Sequence, residues 1–241
     1  MITVKFDRLS IKPKEKILDI GCGSGRHIGE ASRYKGATVI GADMNFNDLV
    51  EARNRLNFIK NCGEHGGGER GLSAADITAL PFASESFDHV ICSEVMEHIP
   101  DESTAVRELD RVLKPGGNMI ISVPRFLPEK ICWMLSKEYY NANGGHVRIY
   151  KKEKITSMFE KLGLIKQGSH YAHSLHTPYW WLKCLVGPGR DDSLPVNLYH
   201  RLLTWDIMEK PKLTRNIDTL LNPILGKSLV LYFRKINSPV Y

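Results

Sequence analysis

The run Ile17-Leu18-Asp19-Ile20 leads into Gly21-Cys22-Gly23-Ser24-Gly25-Arg26-His27, and the chemistry in that spacing is ligand binding by main chain. A short β-branched and apolar run ends beside an acid, three glycines alternate with other residues, and a helical pattern follows. That order is a strand, a tight turn and a helix start. Backbone N–H groups at such a junction face a ligand. Glycine is required there because a Cβ would block the approach to the main chain and penalise positive φ.

The elements that must position this loop are legible around it. Segments 37–42 (ATVIGA), 89–92 (HVIC) and 118–123 (NMIISV) are continuously apolar, as buried parallel strands are. Between them, 47–59 carries Leu49, Ala52, Arg53, Leu56 and Ile59 at helical spacing. Asp101 is a good N-cap for a helix burying Ala105, Leu109, Val112 and Leu113, with Pro115-Gly116-Gly117 as its stop. Strands alternating with helices imply a parallel sheet with right-handed crossovers. The glycine-rich stretch 63–71 has no core residues and is expected to be a mobile surface loop. Further on, 155–162 reads as a helix ended by Gly163, and 164–170 and 228–234 as strands. Segment 171–227, rich in aromatics, prolines and basic residues, reads as an insertion or cap inside a single domain over 1–241.

Composition narrows the class. At 241 residues and 42% hydrophobic, the chain can bury a full core. No apolar run approaches the roughly 20 residues that span a bilayer, and the N-terminus lacks a signal-peptide core. Five scattered cysteines without CxxC spacing argue against a disulfide framework and a zinc site, so no metal is expected and the protein reads as cytoplasmic. A net charge of +6 suits an anionic partner, but the cations are spread rather than clustered.

Asp19-x-Gly-x-Gly-x-Gly differs from the dinucleotide fingerprint G-x-G-x-x-G by its leading acid and its early third glycine, Gly25. From about Lys14 to His170 the sequence resembles the class I S-adenosylmethionine-dependent methyltransferases. The likeness is strongest to the type 11 branch that contains quinone-biosynthesis O-methyltransferases. Five landmarks occur in order: the glycine loop, Asp43 ending VIGAD, Asp76-Ile77, Ser93-Glu94-Val95-Met96-Glu97-His98, and Leu113-Lys114-Pro115-Gly116-Gly117. The resemblance implies an α/β, doubly wound, Rossmann-like sheet of seven mainly parallel strands with an antiparallel last strand. It implies S-adenosyl-L-methionine as cofactor, with Asp19, Gly21, Gly23 and Gly25 at its methionine part. Asp43 would meet both ribose hydroxyls and Met44 the adenine. Asp76 and Ile77 would lie at the adenine amino group, with Asp76 equally suited to capping its own turn, and Ser93 would close the cofactor site.

Methyl transfer to a hydroxyl requires alignment and a base with a pKa near neutral. His98 is the first candidate, with a histidine that bonds backbone near the following helix start as the equal alternative, and His146, in a His-x-Arg segment similar to the family's, is the second. Glu94 and Arg148 are candidate substrate contacts, with an ordinary salt bridge as the plain alternative for Arg148. Tyr179-Trp180-Trp181-Leu182 beside Lys183 would either roof the pocket or form an aromatic belt at lipid headgroups. The expected acceptor is therefore a small or lipid-linked molecule, with O-methylation favoured and peripheral membrane contact as a hypothesis. The alternatives are an RNA methyltransferase and a dinucleotide-dependent oxidoreductase. Nucleic acid is disfavoured, because no appended RNA-binding module and no Asn/Asp-Pro-Pro-aromatic motif is present.

Overall fold

In the computed structural model, which describes residues 2–142, 144–190 and 192–236, the alternation of strands and helices closes into one sheet. Its strands are β1 (Lys16–Ile20), β2 (Thr38–Asp43), β3 (Arg70–Ala74), β4 (Phe87–Ser93), β5 (Leu113–Pro124), β6 (Leu164–Ala172) and β7 (Ser228–Lys235), in the order β3-β2-β1-β4-β5-β7-β6. β1 to β5 pair in parallel; β7 runs antiparallel to both β5 and β6. The helices are α1 (Arg26–Ala31), α2 (Phe46–Asn61), α3 (Glu102–Val112), α4 (Phe126–Leu135), α5 (Lys137–Tyr140), α6 (Lys152–Glu160), α7 (His176–Val186), α8 (Leu194–Glu209) and α9 (Lys212–Leu225). α7, α8 and α9 occupy the interval between β6 and β7.

Period-two alternation divides the core between the two faces. In β1, Leu18 and Ile20 join Phe87, Met96, Leu109 and Phe159 on one side. Ile17 faces the other way, among Ile28, Leu49 and Leu56 from α1 and α2. Asp19 shares the face of Ile17, which puts a carboxylate in apolar surroundings. Asn45 caps α2 by accepting from the Asn47 amide at 3.0 Å, and Asp101 caps α3 by accepting from the Thr104 amide at 3.0 Å.

Two expectations are corrected. Segment 63–71 is not a loose loop: the Gly66 amide donates to Ser32 O at 2.9 Å, and the Gly36 amide donates to Gly66 O at 2.7 Å. A Cβ on Gly68 would lie 1.9 Å from Ala37 O, so these glycines serve backbone packing rather than motion. The stretch also starts β3, an edge strand too poor in apolar residues to announce itself. The stop of α3 comes earlier than expected. Leu113 is already extended, and Pro115-Gly116-Gly117 lies within β5.

Candidate active site

The site lies at the carboxyl ends of β1, β2 and β4, the general position for ligands in open α/β sheets. A cavity of about 210 Å³ is lined there by Ile20, Gly21, Asp43, Met44, Ala75, Ile77, Glu94, Val95, His98 and Ile99. It gathers six of the residues singled out from the sequence: Gly21, Asp43, Met44, Ile77, Glu94 and His98. Met44, which lines it, is 70% exposed and gives the cavity an apolar rim.

The loop after β1 works differently from expectation. Gly21, Gly23 and Gly25 all take positive φ, at 66°, 49° and 78°. This winding turns their amides back on the protein rather than toward a ligand. The Gly21 amide donates to Ala42 O at 2.8 Å, the Gly23 amide to Asp43 Oδ2 at 2.8 Å, and the Gly25 amide to Cys22 O at 2.9 Å. The glycines therefore supply conformation and room. A Cβ on Gly21 would meet Val95 Cγ2 at 2.2 Å, whereas one on Gly23 would meet nothing within 4 Å. Asp43 also accepts from the Asn45 amide at 2.8 Å, so its carboxylate is fixed at the β2 tip with one lone pair per oxygen still available.

Asp19 does not line the cavity. It is 1% exposed, neither oxygen has a hydrogen-bond partner, and His27 Nδ1 stands 4.0 Å away. Burial pushes its pKa up to about 8 against the opposing pull of Arg26. An orphaned acid beneath the loop suits a cation above it. Asp76 is exposed and accepts from the amide and hydroxyl of Thr78, both at 2.8 Å, so it organises its own turn. Ser93 is tied through its hydroxyl to Ser122 at 2.7 Å, and Ser122 in turn donates to Glu94 Oε1 at 2.9 Å. Glu94 takes φ +57°, with its amide on Ser122 O, and this turn lays Val95 over Gly21.

The two candidate histidines meet. The rings of His98 and His146 stand edge to face with centroids 4.9 Å apart. His98 Nδ1 lies 3.2 Å from Gly145 O, so it carries the proton and Nε2 is left as the acceptor. His146 Nδ1 lies 2.6 Å from Glu129 Oε1. Glu129 on α4 is buried, which alone would raise its pKa. The His146 hydrogen bond and the Lys227 ammonium 3.9 Å away outweigh that and hold it below the usual range. Glu129 belongs to no motif and is missed by sequence reading; its signal is only an acid on an otherwise apolar helix face. Glu97 is buried, and both of its side-chain oxygens lack partners. Burial first, then the Glu94 charge, raises its pKa well above the ordinary value. Glu97, His98 and His146 offer ligand atoms within 4.8 Å of one another, so these three could hold a metal ion where the sequence reading assigns none.

Arg148 points elsewhere. It donates to Pro100 O at 2.8 Å, to Ile99 O and to Met96 O, and lies 3.5 Å from Glu102. Its guanidinium holds the 96–100 segment, so it is not offered to a substrate. The aromatic run is likewise engaged within the protein, partly on α4 and α5. Trp181 Nε1 donates to Pro128 O at 3.0 Å, Trp180 packs against Tyr139, and Tyr179 against Tyr199.

The residues present fit S-adenosylmethionine: an orphaned acid below the loop, open space at Gly23, a fixed carboxylate at the β2 tip, and an apolar rim. Comparison with known proteins agrees. The methyltransferase domain family matches residues 18–121. Methyltransferase GfsG of Streptomyces halstedii is 38% identical over 118 residues, 48% of this chain and 40% of that protein. The ubiquinone biosynthesis O-methyltransferase of Pseudomonas fluorescens (strain SBW25) is 38% identical over 121 residues, 48% of this chain and 47% of that protein. The matched segment thus spans less than half the length of these relatives. Over nearly the whole chain, a SAM-dependent methyltransferase of Methanosarcina mazei superposes with a TM-score of 0.63 at 16% identity, covering 99% of this chain and 100% of that one. Over residues 18–121 the chain is similar to the methyltransferase domain family, and over nearly its whole length it shares the fold of that solved structure.

Proposed function

We propose that this protein transfers a methyl group from S-adenosylmethionine to a hydroxyl of a small or lipid-linked acceptor. The observation that carries the reading is the His98–His146–Glu129 chain at the mouth of the cofactor crevice. Asp43 would hold the ribose, Met44 and Ile77 the adenine, and the winding around Gly21 to Gly25 the methionine part. When bound, the cofactor supplies an electrophilic methyl group on a sulfonium. His98 Nε2 accepts the proton that the acceptor hydroxyl must lose as its oxygen becomes nucleophilic. His146, oriented by Glu129 through Nδ1, packs edge-on against His98 and fixes its ring. Glu94, held by Ser122, sets the floor under the acceptor.

A hydroxyl acceptor is favoured over carbon or nitrogen because the site carries a proton acceptor, and the ubiquinone biosynthesis O-methyltransferase named above supports that choice. The test is calorimetry with S-adenosylmethionine, followed by transfer of a labelled methyl group into a metabolite extract. Asp43→Ala should lose most cofactor affinity, tenfold or more. His98→Ala should bind the cofactor as wild type and lose turnover by about 10²-fold or more. Full turnover in His98→Ala would remove it as the base, and equal cofactor affinity in Asp43→Ala would move the ribose elsewhere.

A further inference from the structure

α9 is docked inside out. Its polar residues face the protein: Arg215 lies 3.1 Å from Asp206 of α8, the Ser174 amide donates to Asn222 Oδ1 at 3.0 Å, and the Ser174 hydroxyl donates to Asp218 at 2.9 Å. The opposite face carries Leu213, Ile217, Leu220 and Ile224, spaced i, i+4, i+7 and i+11 on one stripe. They are 71%, 38%, 76% and 68% exposed, and no residue of the helix is buried. An amphipathic helix gains by burying that stripe, so a helix that shows it to water is shaped for something outside the fold. On α8, Leu198 and Trp205 are also exposed and share one face.

The helix is anchored at the end of the sheet where the active site lies. Arg125, which follows β5, donates to Ile224 O at 2.9 Å, and Thr177 donates to Leu225 O at 2.6 Å. Two residues beyond α9, Lys227 reaches Glu129, which holds His146. Charge indicates what covers the stripe. The acids Asp206 and Asp218 turn inward onto Arg215 and Ser174, whereas Arg201, Lys210 and Lys212 are exposed, with Glu209 the exposed acid among the described residues of these two helices. A second copy would add its own exposed Arg201, Lys210 and Lys212 to a chain of net charge +6, whereas anionic headgroups carry the opposite sign. No described helix is long and apolar enough to cross a membrane. A stripe lying in the interface is the geometry that remains for such a helix.

We infer that the apolar face of α9 seats on an anionic lipid bilayer and brings the mouth of the active site to the membrane surface. The inference deepens the lipid-linked reading of the acceptor and rests on it only for turnover. Vesicles of phosphatidylcholine, and of phosphatidylcholine with one-third phosphatidylglycerol, test it by co-sedimentation of the full chain. Wild type should sediment with the anionic vesicles only. Leu220→Ser/Ile224→Ser should lose tenfold or more of that binding with an unchanged thermal midpoint, since both positions face water. Lys210→Gln/Lys212→Gln should lose its salt-sensitive part. Wild type left in the supernatant with both vesicles, or equal binding by the serine variant, overturns the inference. So does a wild-type dimer in sedimentation velocity that the serine variant makes monomeric, because the stripe is then a contact between copies. Calorimetry with S-adenosylmethionine on the same samples separates the two readings. Cofactor binding without vesicle binding sinks only the lipid surface, and vesicle binding without cofactor binding sinks only the methyl-transfer reading.

Discussion

Of the three buried carboxylates at the site, Asp19, Glu97 and Glu129, the first and last are handled in opposite ways. Glu129 is given His146 at 2.6 Å and Lys227 at 3.9 Å, and stays charged despite its burial. Asp19 is given no side-chain partner; only the Arg26 charge and the Ile28 amide pull against its burial, and it sits near pKa 8, so at neutral pH it is largely protonated. A cation bound above the glycine loop restores the missing partner and lowers that pKa, which expels the proton. Cofactor binding at pH 7 should therefore release close to one proton. Calorimetry in phosphate and in Tris, buffers of different ionisation enthalpy, reads this as a difference in apparent heat. Asp19→Asn should abolish the difference and weaken binding. Identical heats in both buffers for wild type would mean that Asp19 does not sense the cofactor.

At the scale of the element, the loop after β1 shows which glycine does what. Gly21 combines φ +66° with Val95 Cγ2 only 2.2 Å from where a Cβ would sit, and Gly23 has open space. Gly21→Ala should cost about 2–4 kcal/mol, backbone strain plus overpacking, and Gly23→Ala about 1–2 kcal/mol from its left-handed φ alone. Paired denaturant titrations measure both, and a Gly21→Ala loss no larger than that of Gly23→Ala would contradict the Val95 contact. The strand–loop–helix unit, Asp43 and the meeting of His98 with its crevice were legible because each rests on local spacing. Glu129 was not, because its meaning comes only from α4 packing under 144–148. The compact fold of 63–71 was hidden for a related reason: polarity and glycine content look alike whether a loop is free or pressed onto Tyr34 and Ala37. For Arg148 the structure shows the plain alternative, a salt bridge to Glu102, and a His-x-Arg pattern does not say that the guanidinium will also be spent on the carbonyls of 96–100. The inverted docking of α9 follows from Asp206 and Ser174, which are remote from its own pattern.

At the scale of the whole molecule, the N-terminal segment is tied to α1 and to the end of β6 through histidines. The Thr3 amide donates to His27 Nε2 of α1 at 3.2 Å, Thr3 O lies 3.2 Å from His170 Nε2 of β6, and the Thr3 hydroxyl lies 3.3 Å from His173 Nε2. Burial is the main cause that lowers all three, to about 3, 4 and 3; Arg26 adds to it at His27, Lys5 and Arg8 at His170, and His176 at His173. The opposing acid is Asp7 near His170, while Asp19 beside His27 is itself largely protonated. Protonated His27 would set a second N–H against the Thr3 amide, so the latch requires the neutral ring. With folded values below the ordinary 6.5, the unfolded chain binds these protons first as the medium acidifies. Their stabilisation is full above about pH 6.5 and drains away as pH falls toward 4, by about 1.4 kcal/mol per pH unit for each group. For a chain of this size that is about 3–6 °C of thermal midpoint per group per unit. His27→Gln keeps an acceptor for Thr3 without the titration, so between pH 6.5 and 5 its midpoint should fall less steeply than that of wild type. Parallel slopes for the two proteins in thermal melts across that range would show that His27 does not titrate with unfolding.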